Sequence, residues 1–168
     1  MIRVIVAVDR QQGISKQGYQ PWYIPDDEKY FSDMTKSYGA VVLTGRTTYD
    51  LIGKPLADRT TYVLTSDKSP IEGVVVMNNL DAALRAIGDV DVWVIGGANV
   101  YEQIFEQKLA DELYVTRIDA DFGCTQFFPQ IGPDFVLSSV SELHEQNGFI
   151  YAYEIYTKAS KNTLLENS

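Results

Sequence analysis

The stretch QPWYIPDDEKYF, Gln20 to Phe31, places three consecutive acids, Asp26, Asp27 and Glu28, among prolines and aromatic side chains. Acids at such a position have two uses. They can complement the positive end of a helix that starts at Pro25, or one of them can turn inward, where a carboxylate needs a bound partner. Two glycine turns offer a second kind of chemistry. Gly45-Arg46-Thr47-Thr48 brings a glycine, a cation and two hydroxyls together at a helix start, an arrangement suited to phosphate. Gly96-Gly97 lets backbone approach a flat or charged ligand closely. Either could equally be a tight turn. The run GGANVY also lacks the spacing of the dinucleotide fingerprint.

The rest of the composition narrows the setting. With 168 residues and 45% apolar content, the chain suits one domain with a sizeable core. The apolar run Ile2–Val8 is short, carries Arg3 and ends at Asp9, which fits a buried strand rather than a membrane span or leader. One cysteine, Cys124, excludes an internal disulfide and fits a reducing compartment. One cysteine and one histidine supply no metal cluster. A net charge of −9 disfavours a broad nucleic-acid surface.

Positioning these residues requires alternating strands and helices. Strands are expected at Ile2–Val8, 40–43, 61–64, 74–76, 90–95 and Glu112–Ile118, and again at Phe135–Val140 and 149–156. Helices are expected at Pro25–Thr35, after Gly45, at Leu80–Ile87 and after Gly97. Asn147-Gly148 is the expected turn of a final hairpin. The fold class is therefore α/β: a single domain with a mostly parallel twisted sheet, flanking helices and an antiparallel C-terminal hairpin. Ligands of such sheets bind beyond the carboxyl ends of the strands. Residues 159–168 read as a polar tail.

Taken together, GISKQGYQPW, IPDDEKYF, LTGRTTYDLIGKPLADR, VIGGANVY, LYVTRIDADF and FFP resemble, in order and spacing, the dihydrofolate reductase family over roughly residues 1–158. The resemblance implies NADPH-dependent reduction of 7,8-dihydrofolate to tetrahydrofolate, with a hydride to pterin C6 and a proton to N5. It also implies one-carbon metabolism, antifolate binding, a cytoplasmic setting and a monomer, with no nucleic-acid, membrane or metal partner.

The same resemblance picks Asp27 from the three acids, since Pro25 precedes it by two residues and Phe31 follows it by four. Asp27 and Phe31 would share a helix face, while Asp26 and Glu28 would lie to either side in water. Asp27 would accept two hydrogen bonds from the pterin, with its pKa raised by burial, and proton delivery would pass through water held near Trp22. Thr116 would hydrogen-bond the carboxylate. Ile5, Ala7, Phe31, Ile52, Leu56, Ile95 and Tyr101 would line the ring pockets, and Arg59 would pair with the α-carboxylate of the glutamate tail. NADPH would be held by Arg46, Thr47, Thr48, Thr65 and Ser66 on one side. Ala7, Ile14, Gly45, Ile95, Gly96, Gly97, Ala98, Asn99, Val100 and Tyr101 would complete its site.

Several positions depart from the family pattern. Gly13-Ile14-Ser15 stands for Gly-Ile-Gly in the mobile loop, and Asn99 stands where a cation is common. Gln20, at the mouth of the pocket, and Glu28, near the folate tail, replace apolar residues. Cys124 replaces an aspartate whose carboxylate closes the mobile loop. His144 is expected on the surface of the late strands, and Cys124 in a loop without chemistry. Two other readings stay open: a ribosylaminopyrimidine reductase of riboflavin synthesis, and a folate-binding protein without catalysis.

Overall fold

The computed structural model describes residues 1–160 and Leu165. The expected polar tail, 159–168, therefore lies mostly outside the described residues.

The elements follow in the order β1 (Ile2–Val8), β2 (Gly13–Ser15), α1 (Pro25–Thr35), β3 (Val41–Gly45), α2 (Arg46–Ile52), β4 (Thr60–Leu64), β5 (Val75–Met77) and α3 (Leu80–Ile87). Then come β6 (Val92–Gly96), α4 (Ala98–Glu106), β7 (Glu112–Ile118), β8 (Gln126–Phe127), β9 (Phe135–Val140), β10 (His144–Gln146) and β11 (Phe149–Lys158). The main sheet has the order β10-β11-β7-β1-β6-β3-β4-β5, with β9 also paired to β11. Strands β7, β1, β6, β3, β4 and β5 are parallel neighbours, and β11 runs antiparallel to β7.

β1 occupies the middle of the sheet and is covered on both faces, which is why its sequence is nearly continuous in apolar residues. Val4, Val6 and Val8 pack on one face with Leu80, Ala83 and Ile87 of α3 and Val100 and Ile104 of α4. Ile5 points the other way, into a cluster with Trp93 and Tyr114 that Phe31 and Met34 of α1 and Ile52 of α2 cover. The strand's period of two thus divides the core into two layers. Arg3 is the exception. Buried in the same strand, it is ion-paired to Asp91 (3.1 Å) and Glu112 (3.2 Å) and stacked over Tyr38. Those partners satisfy the charge that burial would otherwise penalise.

Three short strands are not legible in the sequence. β2 and β8 form a separate two-stranded ribbon, and β10 supplies the first arm of the hairpin turned by Asn147-Gly148. The hairpin partner of β11 is therefore β10. Strand β9 pairs instead along the later half of β11, from Glu154 to Lys158. Runs of two or three residues carry too little periodicity to declare themselves. His144 is also half-buried, stacked on Tyr151 (5.4 Å between ring centres), rather than free on the surface.

Candidate active site

The carboxyl ends of β1, β3, β4 and β6 open into one cleft of about 910 Å³. Its lining includes Ile5, Ala7, Ile14, Asp27, Phe31, Gly45, Arg46, Thr47, Thr48, Ile52, Leu56, Thr65, Ser66, Ile95, Gly96, Gly97, Ala98, Asn99, Val100, Tyr101 and Thr116. Residues far apart in the chain are brought together because parallel strands deliver their following loops to the same edge.

Helix α1 starts at Pro25, whose missing N–H belongs to the unpaired first turn in any case. That start sets Asp27 facing β7, where the Thr116 hydroxyl donates to its Oδ1 at 2.6 Å. Burial pushes the Asp27 carboxyl up to about 6; the Thr116 bond opposes this and the neighbouring Glu28 carboxylate adds to it. Asp27 is thus poised to change protonation near neutrality, as an acid or base in a reaction must be. Asp26 stays exposed, its backbone N–H donating to Gln146 Oε1 at 2.7 Å. Glu28 is exposed too, yet it lies on the cleft lining, so a second carboxylate stands at the mouth.

The apolar part of the cleft is walled by Ile5, Ala7, Phe31, Ile52, Leu56 and Ile95, a surface for a flat ring. Tyr101 is fixed by donating to the Ile5 carbonyl at 2.7 Å, and burial raises its phenol pKa. Two predicted residues stand outside this lining. Trp22 is buried in a cluster with Ala7 and packs against Phe122 at 5.3 Å. Arg59 also stands off the lining. Its Nε donates to the Ala57 carbonyl (2.9 Å) and its Nη1 to Thr35 Oγ1 (2.9 Å), and burial lowers its pKa. Thr35 in turn donates to the Phe31 carbonyl. This chain of bonds holds the guanidinium against α1, beside Phe31.

The other end of the cleft is polar. Thr47, Thr48, Thr65 and Ser66 supply hydroxyls, and Arg46, ion-paired to Asp50 at 2.9 Å, is the only cation on the lining among the described residues. The Gly96-Gly97 peptide is cis. A Cβ on Gly97 would fall 2.8 Å from Thr48 Oγ1, and one on Gly45 would fall 3.2 Å from Val100 Cγ2. Glycines here let two backbone segments converge where a side chain would block them. Hydroxyls, a cation and accessible backbone amides form a donor set that fits a phosphate-bearing ligand, and the cleft is large enough for it beside a second, flat one.

Gln20 lies on the rim, together with four residues that sequence reasoning does not assign to the site: Ser15, Tyr19, Leu51 and Gln126. Ser15 and Gln126 are joined by a hydrogen bond from Ser15 Oγ to Gln126 Oε1. The Thr125 N–H donates to the Ser15 carbonyl, and the Gln17 N–H to Thr125 Oγ1, both at 2.9 Å. The loop is therefore fastened despite Cys124. Nearby, Asp9 is fully buried and accepts from the N–H groups of Gly13 (2.7 Å), Gln11 (2.9 Å) and Phe122 (3.2 Å). Burial raises the Asp9 pKa, but these bonds prevail and hold it below the ordinary value. The Cys124 thiol lies against Asp9 and is pushed up to about 11, chiefly by burial. An Asx pattern of Asp9 with Gln11 is the readable signal here.

Among the described residues no helix is long and apolar enough to cross a membrane, and no group of acidic, histidine and cysteine side chains forms a metal set.

The family model described as "Dihydrofolate reductase" matches residues 1–158. Dihydrofolate reductase of Aedes albopictus is 33% identical over 182 aligned positions, covering 94% of this chain and 97% of that protein. The Bacillus subtilis enzyme is 32% identical, with 96% and 97% covered. A solved structure, dihydrofolate reductase from Enterococcus faecalis complexed with NADP(H) and RAB-propyl, superposes with a TM-score of 0.84 at 30% identity, covering 95% of this chain and 97% of that one.

Proposed function

The chain belongs to the dihydrofolate reductase family, and from that premise we propose that Asp27, held by Thr116, is the carboxyl group that binds and protonates the substrate. The reaction is the NADPH-dependent reduction of 7,8-dihydrofolate to 5,6,7,8-tetrahydrofolate, a step of one-carbon metabolism. NADPH, when bound, supplies the hydride that C6 of the pterin receives.

Asp27 accepts two parallel hydrogen bonds from the pterin's N3 and 2-amino group, which fixes the ring and presents C6 and N5. A carboxyl with a pKa near neutrality retains enough of its protonated form at physiological pH to feed a proton toward N5. Ile5, Ala7, Phe31, Ile52, Leu56 and Ile95 exclude water from the ring, and proton delivery to N5 passes through water held near Trp22. Arg59 receives the α-carboxylate of the glutamate tail. Arg46, Thr47, Thr48, Thr65 and Ser66 hold the cofactor's phosphates, while Gly45 and Gly96 to Tyr101, with Ala7 and Ile14, hold its nicotinamide and pyrophosphate. The working unit is a monomer of one domain, residues 1–158, in the cytoplasm, and its cleft also takes antifolate inhibitors. No observation favours a ribosylaminopyrimidine substrate or a purely binding role.

The single observation that carries this reading is the 2.6 Å bond that fixes the half-buried Asp27 at the inner end of the cleft. Its test is the pH dependence of hydride transfer in single turnovers. The rate should fall as pH rises through a midpoint near the Asp27 value of about 6. Asp27→Asn should erase that step; a step that persists in the variant assigns the titration to another group.

A further inference from the structure

Behind Asp27, away from the cleft, two tyrosines stack with ring centres 4.0 Å apart: Tyr30 of α1 and Tyr153 of β11. Neither ring is on the cleft lining. Each is tied by geometry to one member of the Asp27–Thr116 pair. Tyr30 follows Asp27 by three residues and so lies on the adjoining helix surface. Tyr153 is the cross-strand partner of Thr116 in the antiparallel pairing of β11 with β7. The four residues thus close a ring: the Asp27–Thr116 hydrogen bond, the Thr116–Tyr153 strand pairing, the Tyr153–Tyr30 stack and the turn of helix back to Asp27.

We infer that Tyr30 and Tyr153 are positioning residues for the reaction, a stacked pair that shuts water out from the rear of Asp27 and locks helix α1 to the strand bearing Thr116. The inference rests on Asp27 being the reacting carboxyl.

Both rings feel that carboxylate. Burial and then the Asp27 charge push Tyr30 up to about 12, and the same two causes raise Tyr153. Where Asp27 titrates both phenols are neutral, so the pair acts on it by excluding water and not by charge. Other groups around Asp27 are Glu28 beside it on α1, Thr116 on β7 and Tyr151 on β11. Asp26, exposed on α1, acts on Tyr151, and His144 of β10 stacks on Tyr151 and packs at a tilt on Tyr153. Tyr151 also shares a hydrogen bond with Tyr153. Burial is the main cause of the raised Asp27 value, and the stacked rings are neighbours of Asp27 that lie outside the cleft lining.

The test is the pH profile of single-turnover hydride transfer in Tyr153→Phe, Tyr153→Ala and Tyr30→Ala, with Asp27→Asn as control. Tyr153→Phe retains the stack and should retain the wild-type midpoint. Each alanine variant admits water behind Asp27 and should lower the midpoint by about one unit. The rate at pH 7 should then drop roughly tenfold, while the rate well below the midpoint and the Kd for NADPH stay near wild type. Should Tyr153→Ala fail to fold, Tyr30→Ala reports the same opening from a helix, where alanine is well accommodated. A midpoint unmoved in a folded alanine variant, with only a lower Tm, overturns the inference and reduces the stack to packing. If the pH step survives in Asp27→Asn, the assignment of Asp27 itself falls.

Discussion

The Thr116 hydroxyl donates to Asp27 Oδ1 across 2.6 Å, joining the first turn of α1 to a strand next to the centre of the sheet. The bond favours the charged carboxylate, while burial favours the neutral acid, and burial prevails. Asp27 is therefore held at a cost to the fold whenever it is ionised.

That cost has a definite sign. The folded-state value of about 6 lies above the ordinary 3.8, so the group's contribution to stability is intact below about pH 3.8 and is lost as pH rises through 6. Asn at this position can still accept from Thr116 but never ionises. Ligand-free Asp27→Asn should accordingly be more stable than wild type at pH 8, by on the order of 1–3 kcal/mol, and the gap should close below pH 4. Urea titrations at the two pH values measure it; a variant less stable at pH 8 would mean that the carboxylate is not strained by burial.

Arg59 gives a ligand-dependent expectation. Its guanidinium is anchored through Thr35 and Ala57 with no carboxylate in hydrogen-bond contact among the described residues, which leaves it available to one. Arg59→Ala should weaken dihydrofolate and methotrexate-like ligands by about 1.5–3 kcal/mol. Small diaminopyrimidines such as trimethoprim, which lack the glutamate, should lose little. Equilibrium titrations with one ligand of each kind at fixed salt decide it. Equal losses would make Arg59 a support of the fold alone.

Asp9 should be sensitive in the opposite direction from Asp27. Its folded-state pKa is depressed, so its contribution is present above the unfolded value of 3.8 and is lost as pH falls through the lower folded one. Asp9→Asn sets a side-chain amide among the backbone N–H groups of Gln11, Gly13 and Phe122, and leaves a donor unpaired. A loss of about 1–3 kcal/mol is expected, together with faster hydrogen exchange at Gly13 and Ser15. Unchanged exchange there would show that the Ser15–Gln126 and Thr125 contacts hold the loop without Asp9.

The parts of the site that can be read from residues alone are those in which type and spacing act together. Pro25 marks a helix start, Asp27 and Phe31 mark one face of that helix, the paired glycines mark a close backbone approach, and the β-branched run of β1 marks a covered strand. Contacts between residues remote in sequence escape such a reading. Tyr153 stands behind Asp27 only because β11 is in register with β7, and Asp9 meets the Phe122 N–H only because the fold carries residue 122 to it. The neighbours of Trp22 in the sequence point it toward the cleft. In the fold it is buried and packs on Phe122, a contact between residues a hundred positions apart.

The central claim is that Asp27, and neither flanking acid, carries the reaction. Single-turnover hydride transfer at pH 7 with saturating NADPH, compared between Asp27→Asn and Asp26→Asn, tests it most directly. The account predicts a loss of roughly 10²–10⁴-fold for Asp27→Asn with NADPH affinity retained, and a near wild-type rate for Asp26→Asn, whose side chain stays in solvent. A near wild-type rate in Asp27→Asn, with the damage appearing in Asp26→Asn, would contradict it.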